Sequence, residues 1–287
     1  MSSDPAPSAA RRGLAGPLFV LGAALLWGTL GVLSTAAAAR GVAPLEIALV
    51  RALIGALLFA AHALVTRARF PRGRDLAWSA AFGLVGISLF YGVFQLALQA
   101  GGASLAVVLL YTAPALVALL AWGVLHERPT RTTVLLIACT IAGVALVSIG
   151  GGHGVTVSVA SVAYGLVAGA CYALYYLFGK TVLARNATST TLTVVLGVGA
   201  LGLVPFAPVS AKPLATWGLL AVIGLATSYL AIAAYAAGLR RMAPTRAAII
   251  ASFEPVIAVA LAVVVLGEVL APTAVAGAAL VVGAVVL

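Results

Sequence analysis

The chain reads as ten long apolar runs separated by short polar intervals: residues 17–39, 44–66, 75–98, 103–125, 131–149, 159–183, 189–208, 214–238, 244–266 and 271–287. Each run is long enough, or nearly so, to cross a hydrocarbon layer of about 30 Å at about 1.5 Å per helical residue. Lipid offers no partner for unpaired backbone N–H and C=O groups, so such spans must be helical. The pattern predicts an all-α integral membrane protein with ten transmembrane helices. The tenth run reaches Leu287 without a polar tail.

One stretch returns. Ser104 to Pro129, SLAVVLLYTAPALVALLAWGVLHERP, reappears in altered form from Thr245 to Pro272, and a shift of 141 positions lays Pro114 on Pro255 and Glu127 on Glu268. Weaker echoes lay Gly41–Pro44 on Asn186–Ser189 at a shift of 145, and Tyr91 on Tyr229 at 138. Internal duplication organises the whole chain when it is present. Five spans per half is an odd number, so the second half is expected to insert upside down relative to the first. The expected layout is a cytoplasmic tail (1–16), a first five-helix repeat (17–149), a connector (150–158) and an inverted second repeat (159–287). Inverted repeats commonly hold a substrate site near the midplane between the halves.

Composition narrows the class. Hydrophobic residues make up 64% of the 287 and charged residues 8%, against roughly 25% charged in a soluble domain. The net charge of +10 matters through its placement. Alternate loops carry 13 of the 16 Lys and Arg residues, including Arg67, Arg69, Arg72 and Arg74, while the opposite loops hold only Arg40 and Lys212. The positive-inside rule then puts both termini in the cytoplasm of a bacterial-type inner membrane. The basic clusters are topology signals, not a nucleic-acid surface. The run after Arg11 and Arg12 resembles a signal sequence but is long enough to span, and is read as an uncleaved first helix. Cys139 and Cys171 both fall in apolar runs and form no disulfide framework.

Several letter patterns carry no chemistry. Gly197-Val-Gly-Ala-Leu-Gly matches a dinucleotide fingerprint but lies inside a span, without the strand–turn–helix that the chemistry needs. Gly165-x-x-x-Gly169 reads as close helix packing. No metal-ligand spacing, phosphate-binding loop or Ser–His–Asp set is present in the sequence. The expectation is a protein that is not an enzyme and needs no cofactor or metal. Its partners are a small-molecule substrate, the bilayer and, if transport is coupled, protons.

Candidate functional residues are the polar and aromatic positions within spans. Glu254 lies ten residues into the ninth run, roughly 15 Å deep, where an ionisable group is costly and defaults to a functional hypothesis. Proton coupling, cation binding and tuning of the site's field are open to it; so is a protonated or locally paired structural role. Pro255 and Pro114 each remove an amide and free a carbonyl one turn back, either to shape a site or merely to kink the helix. Arg51 is the other intramembrane charge, with gating or structure ahead of substrate contact; Glu46, five residues away, faces elsewhere on the helix. Trp27, Tyr91, Phe94, Gln95, Tyr111, Tyr172, Tyr176, Ser228, Tyr229, Ser252 and Phe253 complete a mostly apolar, aromatic-lined pocket, each of them equally explicable as packing. Glu127 and Glu268 close the fourth and ninth runs as helix-end or hinge residues.

Leu26-Trp27-Gly28, Pro44 followed by Arg51, Pro114 to Glu127, and Pro255 to Gly267-Glu268 together resemble the EamA type of the drug/metabolite transporter superfamily. The resemblance implies a ten-helix exporter of small metabolites with a cavity formed by both halves, with spans 1, 3, 4, 6, 8 and 9 around it. The sparsely charged aromatic stripes are similar to the YddG-like exporters of aromatic amino acids. Sugar-phosphate carriers of the superfamily would need several cavity bases, and only Arg51 is available. Small multidrug pumps place a glutamate in the first span, which this chain lacks. The sequence thus points to a secondary exporter of amino acids working by alternating access as a monomer. The alternatives are a multidrug or organic-cation exporter on the same fold and, from another class, a non-transporting scaffold or membrane enzyme.

Overall fold

A computed structural model describes residues 9–126, 128–149, 157–266 and 271–286. Glu127 and Glu268 lie outside these, as do most of the expected connector and the side chain of Gln95. All regular structure among the described residues is helical. Among the described residues, seven stretches are long and apolar enough to cross a membrane: Leu14–Ala38, Pro44–Val65, Gly73–Phe94, Val159–Arg185, Thr188–Phe206, Leu214–Leu239 and Pro244–Val265. Val108–Val124, Arg131–Val147 and Pro272–Ala284 are shorter apolar helices.

Several stretches are interrupted, and the interruptions follow local chemistry. Helices α1 (Ala9–Gly28) and α2 (Leu30–Ala38) are split at Thr29, whose hydroxyl donates to the Leu26 carbonyl at 2.6 Å. Helix α3 (Pro44–Val65) starts on proline, where the missing amide costs nothing. Helix α4 (Gly73–Phe82) passes through a π-helical segment, Gly83–Leu89, into α5 (Phe90–Leu110). A two-residue break separates α5 from α6 (Ala113–Leu125), with Pro114 in the first turn of α6. Helix α7 is Arg131–Ile149.

From α4 onward the same boundaries return 141 residues later. Helix α8 (Val159–Arg185) and α9 (Thr188–Leu203) open the second half. Then α10 (Leu214–Ile223), a π segment at Gly224–Leu230 and α11 (Ala231–Leu239) repeat the starts of α4, the first π segment and α5. Helix α12 (Pro244–Ala251) breaks before α13 (Glu254–Leu266), as α5 breaks before α6, and α14 (Pro272–Val286) begins where α7 predicts. The breaks match in their bonds as well: Thr112 N–H donates to the Leu109 carbonyl at 3.2 Å, and Phe253 N–H to the Ile250 carbonyl at 3.1 Å. At this offset Tyr91 corresponds to Ile232, so its echo with Tyr229 at 138 does not survive.

One boundary differs from expectation. The third and fourth runs were separated at 98–103, yet Phe90–Leu110 is one helix. The segment Gln99-Ala-Gly-Gly-Ala103 holds no proline, whereas Pro244 stops α11 from running into α12.

Small residues set the helix separations. A methyl group at Gly169 of α8 would sit 2.9 Å from the Leu109 carbonyl, and one at Gly143 of α7 would sit 2.8 Å from the Gly277 carbonyl of α14. Two of the fingerprint-like glycines of α9, Gly199 and Gly202, serve the same end against the first π segment, and the Gly199 carbonyl accepts the Ser88 hydroxyl at 2.8 Å.

Two polar locks join the halves. Lys212 pairs with Glu46 at 2.8 Å with both side chains almost fully buried, and the Ser210 N–H also donates to Glu46 at 3.3 Å. Elsewhere Asp75 receives Arg185 at 3.1 Å and the Asn186 amide at 2.7 Å.

Candidate functional site

The two breaks bring the site together. Tyr111 occupies the break after α5 and Glu254 opens α13 just past the matching break. The Tyr111 side chain is a hydrogen-bonding neighbour of the Glu254 carboxyl. Glu254 is half-buried and Tyr111 almost wholly so. As the first residue of α13, Glu254 also sits at the positive end of that helix dipole, a favourable place for a carboxylate. Gly28 seats the opposite wall: a methyl there would fall 2.6 Å from Ile257 and 3.3 Å from the Glu254 carbonyl. The split between α1 and α2 therefore abuts the first turn of α13.

Arg51 reaches in from α3. Its guanidinium carbon lies 4.7 Å from the centre of the Tyr91 ring and one terminal nitrogen donates to the Tyr91 hydroxyl. Its Nε is buried and has no hydrogen-bond partner among the described residues. Tyr175 of α8 lies in the field of both Arg51 and Tyr91. A cation this poorly paired is costly to hold in an apolar interior.

Aromatic rings link these charges into one wall. Trp27 meets Tyr235 at 5.5 Å, Tyr235 meets Tyr176 at 5.5 Å, Tyr176 meets Tyr172 at 5.6 Å, and Tyr172 meets Tyr111 at 6.4 Å. Phe90 stacks on Tyr172 at 5.8 Å and touches Tyr91 and Phe94. Phe253 packs in the same cluster as Tyr111 and Phe94. The hydroxyls of Tyr175 and Tyr235 are buried without a partner among the described residues. The Trp27 indole N–H donates to the Thr227 carbonyl at 2.9 Å, inside the second π segment.

The structure thus brings together Trp27, Arg51, Tyr91, Phe94, Tyr111, Tyr172, Tyr176, Phe253 and Glu254. Pro114 and Pro255 sit in the first turns after the breaks, both buried. Ser252 is fully buried at the second break, and its hydroxyl donates back to the Ala248 carbonyl at 2.9 Å. Ser228 and Tyr229 take another direction. Ser228 packs against Gly55, while Tyr229 meets Phe59 at 4.7 Å and His62 Nδ1 at 3.0 Å. Sequence reasoning passed over Tyr175 and Phe90. The Tyr175-Tyr176 pair was the available signal, since adjacent tyrosines in a span point to a helix enclosed on more than one side.

The family profile of the EamA-like transporter family matches this chain twice, over residues 14–149 and 159–287. The chain belongs to that family; it is a membrane transporter and not an enzyme. A Bacillus subtilis (strain 168) relative, "Uncharacterized transporter YwfM", is 30% identical over 92% of this chain and 90% of its own length. A relative from Streptantibioticus cattleyicolor named "Probable terminal-alkyne amino-acid exporter" is 29% identical over 86% of this chain and 84% of its own. One solved crystal structure superposes with a TM-score of 0.80 at 21% identity, covering 94% of this chain and 96% of the other, which bears on the fold alone.

Proposed function

We propose that this protein is a secondary transporter that exports small metabolites, foremost amino acids with an aromatic preference, by alternating access. The observation that carries the reading is one cation, Arg51, and one carboxylate, Glu254, set at a continuous aromatic wall. A solute with charged and apolar parts suits such a surface. A relative named as an amino-acid exporter supports the substrate class. In this reading the chain makes ten crossings as two inverted five-helix halves, with both termini in the cytoplasm of a bacterial-type inner membrane. One chain contains both halves and acts as a monomer. The breaks at 111–112 and 252–253 are the flexible points, because backbone freed from regular helix is where two packed bodies hinge.

The test is efflux of labelled phenylalanine from loaded proteoliposomes, with and without a pH gradient. Efflux without a gradient is expected if transport is facilitative. Efflux only with a gradient, lost in Glu254→Gln, assigns proton antiport. Movement of an aromatic cation with no amino-acid flux would replace this reading with organic-cation export, for which Glu254 among aromatic rings is the relevant feature. Absence of any flux would remove its support.

A further inference from the structure

We infer that the site reads its substrate as a zwitterion, with Arg51 taking the α-carboxylate and Glu254 the α-ammonium. This rests on the amino-acid reading above and assigns chemistry within it. Arg51 is anchored on one side only: Tyr91 holds its ring-facing edge and one terminal nitrogen, while Nε remains without an acceptor. A guanidinium in that state offers a donor to a planar carboxylate. The nearby Tyr175 hydroxyl, on a side chain 8% exposed, is likewise unpartnered and adds a second donor.

The other end has the opposite character. Glu254 accepts from Tyr111 and keeps further lone pairs. Tyr111, Tyr172 and Tyr176 stand beside it as a chain of ring faces and edges. A carboxylate backed by aromatic rings is a site for an ammonium group. Arg51 sits over Tyr91, and a ring chain runs from Tyr91 through Phe90 and Tyr172 to Tyr111 at the break that precedes α6, the counterpart of the break that Glu254 follows; no salt bridge joins the two charges among the described residues. A substrate carrying both charges inserts between them and neutralises both. The side chain of that substrate then meets the Trp27–Tyr235–Tyr176 wall, where the Tyr235 hydroxyl, on a side chain 1% exposed, also lacks a partner.

Two charges of opposite sign make a discriminating site, because a ligand lacking either group leaves one half-buried ion unpaired. The experiment is calorimetric binding to purified wild-type protein and variants, using phenylalanine, phenethylamine (no carboxylate) and 3-phenylpropanoate (no amine). Wild type is expected to bind phenylalanine about tenfold or more tightly than either analogue. Arg51→Gln is expected to erase the preference over phenethylamine while keeping that over 3-phenylpropanoate. Glu254→Gln is expected to do the reverse, and Arg51→Lys and Glu254→Asp to retain part of the discrimination.

Equal binding of all three ligands by wild type overturns the zwitterion reading, and needs no variant to fold. Equal weakening of all three by both substitutions overturns it as well. In either case phenylalanine flux would leave the exporter reading standing. Tightest binding of phenethylamine, dependent on Glu254 alone, overturns it in favour of a cation site. Neither binding nor flux of any amino acid would sink both readings together.

Discussion

At the scale of single residues, the two polar locks differ in burial and so in consequence. Lys212 and Glu46 are 4% and 3% exposed as side chains, whereas Arg185 and Asp75 are 63% and 26% exposed. Removing one partner of a buried pair strands the other charge and costs about 3–5 kcal/mol. An exposed pair is worth about 0–1 kcal/mol. Lys212→Ala is therefore expected to lower thermal stability in detergent markedly, and the Glu46→Gln/Lys212→Met double variant to recover most of it. Arg185→Ala should shift unfolding only slightly. Equal losses from the two single variants would contradict this ranking. The charges of the candidate site were legible because a lone Glu or Arg stands out in an apolar run. The Lys212–Glu46 contact was not, since it joins residues far apart in sequence and periodicity measured Glu46 only against Arg51 on its own helix.

At the scale of elements, the recurring breaks carry the mechanical argument. The proline pair and the 141-residue echo could be read from letters alone, and the breaks fall beside both prolines. The π segments could not, because a wider helical turn leaves no mark on an almost uniformly apolar run; each does begin at a glycine, Gly83 and Gly224. Such segments often mark functional positions, and the second supplies the carbonyl that holds Trp27. Restoring an amide at both breaks with Pro114→Ala/Pro255→Ala should stiffen the hinges. The expected outcome is turnover lowered by about tenfold, equivalent to 1.36 kcal/mol of barrier, with phenylalanine affinity changed much less. Unchanged turnover would show that the breaks are packing features. Gly169→Val should separate α5 from α8, because the added carbons overlap the Leu109 carbonyl. Loss of folded protein in size-exclusion chromatography is expected, with Gly197→Val, which meets nothing within 4 Å, as the tolerant control.

At the scale of the whole molecule, the family match in two copies agrees with the boundaries that return 141 residues on. Composition and run length made the membrane class legible, and charge placement predicts an orientation that the labelling below tests. The continuity of α5 through 98–103 was not legible, because a run edge was read where glycines interrupt the apolar pattern. Ala100 lies 27 residues past Gly73 along continuous helix, roughly 40 Å away at about 1.5 Å per residue and so beyond a hydrocarbon layer of about 30 Å. With Cys139 and Cys171 replaced, a cysteine at Ala100 should react with a membrane-impermeant maleimide from outside intact cells, and one at Arg69 only after permeabilisation. The opposite pattern would invert the proposed topology.

The central claim is that the Arg51–Glu254 site binds an amino acid and carries it across the bilayer. Isotope counterflow tests this most directly: labelled phenylalanine entering proteoliposomes loaded with unlabelled phenylalanine. The account predicts transient accumulation above the protein-free control, abolished in the Arg51→Gln/Glu254→Gln double variant while that variant remains folded. Undiminished accumulation in the double variant, or none in wild type, would contradict it.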